Sequence, residues 1–206
     1  MPDADLKRTI PTLRNSKFGN AGQRCLAIQN IVVVGDDQFY EKFKRAFTEA
    51  TKQLKVGYGL DETTDMGPLA SKKYKELVIK WIEKGIEEGA KVVLDGRGVK
   101  VPDYPKGFYL GPTILENVTP DMKIAREEIF GPVANLLRAE NLDQAIEWIN
   151  NNKYHHSAAL FTRNGKWART FMHGVTVGNV GINIGIAAPV GWFPFGGRRL
   201  SGLGSH

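Results

Sequence analysis

Apolar positions along this chain recur at two spacings, and the alternation between them predicts the order of the elements. Residues 3 to 18 read as a helix, with Asp3 or Asp5 as its cap and Leu6, Ile10, Leu13 and Phe18 on one side. The β-branched run AIQNIVVVG, 27 to 35, predicts a buried strand, after which Asp36 and Asp37 open an amphipathic helix carrying Phe39, Phe43, Ala46 and Phe47. A second amphipathic helix, 71 to 88, places Tyr74, Leu77, Val78, Trp81 and Ile82 inward and stops at Gly89. The strand KVVLDG follows, then an irregular Gly- and Pro-rich stretch from 95 to 112, a strand near 109 to 115 and another around 133 to 138. LDQAIEWINNN reads as helix, AALFTR as strand, 165 to 173 as helix and VGNVGINIG as strand. Strands alternating with helices predict an α/β fold, a largely parallel sheet flanked by helices. Neither a repeat nor a linker divides the chain, so one domain is expected over residues 1–206.

Composition narrows the function classes. With 206 residues and 42% hydrophobic content, the chain carries enough apolar side chains for a core. Its 28 Lys and Arg outnumber 22 Asp and Glu, but the lysines are dispersed over helices such as 71 to 88, the pattern of solvated faces rather than of a nucleic-acid surface. No apolar run reaches the ~18 residues of a membrane span and MPDADLKRTI lacks a signal-peptide core, so a cytoplasmic protein is expected. The adjacent His155 and His156 point opposite ways on an extended segment with no acidic residue nearby in sequence, which predicts a surface role rather than a metal site.

The chemistry centres on one thiol. Cys25 closes FGNAGQRC, 18 to 25, and as the only cysteine it has no disulfide partner within the chain. A free cysteine is most often a small buried hydrophobe. Here Gly19, Asn20 and Gly22 leave backbone amides bare near the sulfur and Arg24 adds a positive charge, features that favour a thiolate and the oxyanion formed when it attacks a carbonyl. FGNAGQRC resembles the nucleophile loop of the aldehyde dehydrogenase superfamily, and EEIFGPV (127–133) and PFGGRRLSGLG (194–204) follow in the family's order. PDADL and GPTIL (111–115) look like family segments as well.

The resemblance implies the C-terminal, catalytic-domain half of such an enzyme. Cys25 takes the nucleophile's position, attacking an aldehyde to give a thiohemiacetal whose hydride passes to NAD or NADP; water or coenzyme A then releases the thioester. Glu128 matches the glutamate that holds the nicotinamide ribose and Phe130 the aromatic beside it, although without the resemblance they read as a solvated loop charge and a core residue. Phe18 and Phe195 are placed with the substrate, and glycines 196, 197, 202 and 204, which lack GxGxxG spacing, read as turn glycines at its entrance.

The stretch Ala-Ala-Pro-Val-Gly-Trp-Phe between Asn183 and Pro194 resembles methylmalonate-semialdehyde dehydrogenases. That branch implies a small aldehyde bearing a carboxylate, malonate or methylmalonate semialdehyde, which Arg24 would bind through its fork of N–H donors; the alternative for Arg24 is a structural pairing within the loop. Family members are usually more than twice this length. The resemblance therefore implies that most of the cofactor-binding half, the asparagine of the oxyanion hole and the C-terminal oligomerisation tail are absent. The isolated chain is expected to be a poor dehydrogenase, acting as a homo-oligomer or with a complementing N-terminal half. Two other readings stand beside this one: a non-catalytic remnant that serves as an interaction or assembly module and folds without NAD affinity, and a thiol-dependent acyl transfer with no redox step.

Overall fold

The computed structural model describes residues 1–185, 188 and 190–204. Ile186, Ala187 and Pro189, which belong to the stretch singled out after Asn183, lie outside the described residues, as do Ser205 and His206.

Helix α1, Leu6–Phe18, starts later than the sequence suggests because the residues before it are engaged elsewhere. The Met1 ammonium donates to the Phe161 carbonyl at 3.2 Å, and the Asp3 carboxylate accepts from the Thr162 hydroxyl at 2.9 Å and the Arg163 N–H at 2.8 Å. Asp5 is left to cap α1 by accepting from the Lys7 N–H. Strand β1 (Asn30–Val34) leads to helix α2 (Asp37–Lys52), whose cap is Asp36 and whose Phe43 and Phe47 stack with centroids 5.8 Å apart. Helix α3 (Lys72–Glu87), strands β2 (Lys91–Leu94) and β3 (Thr113–Glu116), the short helix α4 (Lys123–Arg126) and strand β4 (Val133–Ala139) follow.

These strands form a sheet of order β1-β4-β3-β2, parallel except for the edge strand β2. The interior strand β4 is buried along nearly its whole length, as a strand covered on both faces must be. The chain continues through helix α5 (Leu142–Asn151), strands β5 (Tyr154–His155) and β6 (Ser157–Leu160), helix α6 (Gly165–Gly174) and strands β7 (Asn179–Ile182) and β8 (Arg198–Arg199). β6 pairs in parallel with β7 and β5 antiparallel with β8, and neither pair joins the four-stranded sheet.

The α/β class and the largely parallel pairing agree with the pattern of the sequence, and two details differ. Leu77 is 46% exposed, because the inward stripe of α3 runs through Val78, Ile82 and Gly85, one position further round the helix. His155 is only 1% exposed, its Nδ1 lying 2.7 Å from the Thr176 carbonyl oxygen, so it is a core residue rather than a surface one. Among the described residues no helix is long and apolar enough to cross a membrane.

Candidate active site

After α1 the backbone turns through Gly19–Gly22, where Asn20, Ala21 and Gly22 hold left-handed φ values of 53°, 51° and 70°. For Ala21 that conformation costs about 1–2 kcal/mol. A set of bonds centred on Gln23 holds it: the Gln23 N–H donates to the Asn20 carbonyl at 3.0 Å, its side-chain amide donates to the Pro68 carbonyl at 3.3 Å, and its Oε1 accepts from the Ala70 N–H at 2.9 Å. Gly22 answers a second demand. A Cβ there would lie 2.2 Å from the Gly131 carbonyl oxygen, so the FGNAGQRC and EEIFGPV loops meet backbone to backbone.

Cys25 sits in the next turn with its side chain exposed. Together with Glu128, His156 and Phe195 it lines a cavity of about 690 Å³. Phe195 and His156 pack edge to face, with ring centroids 5.4 Å apart and planes at 76°. The Glu128 side chain is exposed and makes no hydrogen bond or ion pair among the described residues, whereas its neighbour Glu127 is held by Lys153 at 2.5 Å.

What positions Glu128 is a residue the sequence reading passed over. Gln29, at the entry to β1, donates to the Ile124 and Glu127 carbonyls at 2.7 Å each and accepts from the Ile129 N–H at 2.6 Å, pinning the loop on both sides of Glu128. Asn30 adds a bond to the Ala125 carbonyl at 2.8 Å. The signal was present as the polar pair interrupting AIQNIVVV.

Lys17 was missed as well. It falls on the inward stripe of α1, one turn beyond Leu13, and is 1% exposed. Burial lowers its pKa to about 7; the Glu128 carboxylate opposes that shift and the Arg24 guanidinium adds to it.

Three expected site residues lie outside the cavity. Arg24 folds back over Gly19 and donates to the Asn15 and Ser16 carbonyls at 2.6 and 3.2 Å, closing the C-terminal end of α1, where carbonyls lack partners and the helix dipole is negative. Its fork is thus directed at the helix rather than at a substrate carboxylate. Phe18, expected beside the substrate, is 1% exposed and stacked on Phe47 in the core at 6.1 Å. Phe130 is half-buried and is not one of the cavity's walls.

Residues 1–206 match the aldehyde dehydrogenase family. The chain belongs to that family. Among its relatives is the methylmalonate-semialdehyde/malonate-semialdehyde dehydrogenase [acylating], mitochondrial, of Homo sapiens, 44% identical over 201 residues, which cover 98% of this chain and 37% of the relative. The structure of a methylmalonate-semialdehyde dehydrogenase from Oceanimonas doudoroffii superposes with a TM-score of 0.95 at 37% identity, covering 100% of this chain and 43% of that one. A betaine aldehyde dehydrogenase from Staphylococcus aureus, in complex with NAD+, gives a TM-score of 0.93 at 29% identity over 98% of this chain and 40% of its own. The chain spans between 33% and 41% of the length of the curated relatives it matches.

Proposed function

We propose that Cys25 is the nucleophile of an acylating semialdehyde dehydrogenase whose substrate is of the malonate or methylmalonate semialdehyde type. One observation carries this reading: the exposed Cys25 thiol and the Glu128 carboxylate, unpaired among the described residues, open onto the same cavity, on loops that touch at Gly22 and Gly131. The sulfur attacks the aldehyde carbon and the C=O electron pair moves onto oxygen, giving a thiohemiacetal. The Cys25 N–H, which no backbone acceptor engages among the described residues, is a donor for that oxyanion.

A carboxylate with no partner among the described residues suits a nicotinamide ribose, whose two hydroxyls need an acceptor, and Gln29 holds the Glu128 loop for it. When bound, NAD supplies the acceptor for the hydride that leaves the former aldehyde carbon. The carbonyl then re-forms as a thioester on Cys25, and attack by the thiol of coenzyme A, or by water, expels the sulfur as a thiolate. The NAD complex of the betaine aldehyde dehydrogenase and the word acylating in the human relative's name support the cofactor and the acceptor.

The covalent half of the reaction is testable without NAD. Incubating the chain with a short-chain acyl-CoA is expected to add the acyl mass to Cys25, and Cys25→Ser is expected to abolish the adduct. With malonate semialdehyde, NAD and coenzyme A, absorbance from NADH reports complete turnover. An NADH signal that survives Cys25→Ser sinks the assignment, as does an unacylated wild-type thiol that iodoacetamide still alkylates.

A further inference from the structure

A thiol that accepts an acyl group must first lose its proton, because the thiolate is the nucleophile. We infer that His156 is the base that takes it, its Nδ1–H turned to the face of Phe195 and its Nε2 lone pair open to the cavity beside Cys25. The inference rests on the acyl transfer proposed above for Cys25 and goes on to name the group that activates the acceptor.

The backbone around His156 fixes the ring. His155 turns away, with its Nδ1 on the Thr176 carbonyl oxygen, while His156 lines the cavity. Asn179 then clamps His156 to the segment that carries Phe195. Its main-chain N–H donates to the His156 carbonyl at 3.0 Å, and its side-chain amide is shared between that carbonyl at 3.2 Å and the Gly196 carbonyl at 2.9 Å. The T-shaped contact between the two rings is therefore built into the main chain. The same segment is tied to the Glu128 loop, because Lys153 holds Glu127 at 2.5 Å and the Asn152 amide donates to the Ala125 carbonyl at 3.4 Å.

The two ring nitrogens differ. Nδ1 of His156 is buried and meets no hydrogen-bonding partner among the described residues, whereas Nε2, which also makes no bond among them, is not buried. An aromatic face is negative, so it attracts an N–H and repels a lone pair, and a neighbour at 76° to Phe195 favours the tautomer protonated at Nδ1. That tautomer leaves the Nε2 lone pair for the cavity, and the Phe195 face also steadies the cation formed when Nε2 is protonated. Other ionisable groups at the cavity do not serve. An arginine such as Arg126 has no site for a proton, Glu127 is held by Lys153, and the Met1 amine is bonded at Phe161, beyond the far end of β6. Tyr154 lies under the Lys153 ammonium, and Glu128 is assigned to the ribose. In the step itself Nε2 removes the S–H proton of the acceptor as that sulfur bonds to the thioester carbon and the C=O pair moves to oxygen. The pair returns, the bond from carbon to the Cys25 sulfur breaks, Cys25 departs as a thiolate and the imidazolium gives its proton to solvent.

The test separates proton removal from access. Cys25 of the full chain is acylated with a propionyl aryl thioester, the donor is removed, and transfer to two acceptors is followed by intact mass. At about pH 8.5 coenzyme A is still a protonated thiol, whereas trifluoroethanethiol is already a thiolate and needs no base. His156→Phe is expected to slow transfer to coenzyme A by about 10²-fold and to leave transfer to trifluoroethanethiol within about twofold. Equal slowing with both thiols, the result of lost access or a disturbed loop, overturns the proposal, and so does an unchanged rate with coenzyme A. A second readout uses the wild-type chain and does not depend on a variant folding: nitrogen NMR is expected to show the neutral His156 ring protonated at Nδ1. A ring protonated at Nε2 overturns the assignment. A wild-type thiol that takes no acyl group yet reacts with iodoacetamide overturns this inference together with the function it rests on; normal acylation of Cys25 followed by transfer indifferent to His156→Phe overturns this inference alone.

Discussion

At the scale of single residues, the loop geometry assigns Gly22 a task no other side chain can fill. Gly22→Ala places a methyl group at φ 70° and 2.2 Å from the Gly131 oxygen. A loss of at least about 2 kcal/mol is expected in urea denaturation, with a change in the alkylation rate of Cys25, while Gly59→Ala, into open space, is expected to cost little. Lys17 predicts a pH dependence of opposite sign to that of a lysine held in a salt bridge. Its pKa is about 7 in the fold, against ~10.4 in an unfolded chain. Between those values the unfolded chain holds a proton that the folded chain has lost, so raising the pH penalises the unfolded state and stability rises from pH 7 toward 10. Below pH 7 both states are charged and the full burial penalty remains. Denaturation at pH 7 and pH 9.5 checks this: the wild type gains stability, and Lys17→Met lacks that increment. Neither Lys17 nor Arg24 was legible in advance. Periodicity marks position 17 as inward but its charge argues outward, and a cation beside a thiol does not reveal whether it turns to the sulfur or to the end of its own helix.

Among the elements, those whose partners are near in sequence were readable. The Asp36 cap and the spacing of Phe39, Phe43 and Phe47 define α2 without reference to anything else. β5 and β8 could not be read, because two residues, Tyr154 and His155, are a strand only through Arg198 and Arg199, far along the chain. Gln29 shows the same limit: it looks like a polar break in a strand, and its role appears only when α4 and the loop after it arrive. Gln29→Leu strips bonds from the Ile124 and Glu127 carbonyls and the Ile129 N–H. A cost of about 2–3 kcal/mol is expected, read as a lower denaturation midpoint together with faster exchange of the Ile129 amide.

For the whole molecule, the α/β class and the family were legible, the first from alternating periods and the second from three loops in order. The division of the sheet was not. The runs 27–35 and 158–163 are both apolar strands in sequence, and nothing in either says that its second edge stays open. The C-terminal segment adds exposed apolar side chains of its own, Trp192 at 84% and Phe193 at 60%. The Met1 amine, half-sunk against the Phe161 carbonyl and lowered in pKa by burial, with Asp3 opposing that shift, has a practical consequence. Amine-directed acylating labels need both the neutral form and an open approach; burial favours the first and denies the second, so slow labelling that accelerates in urea is expected to report release of this segment from Phe161.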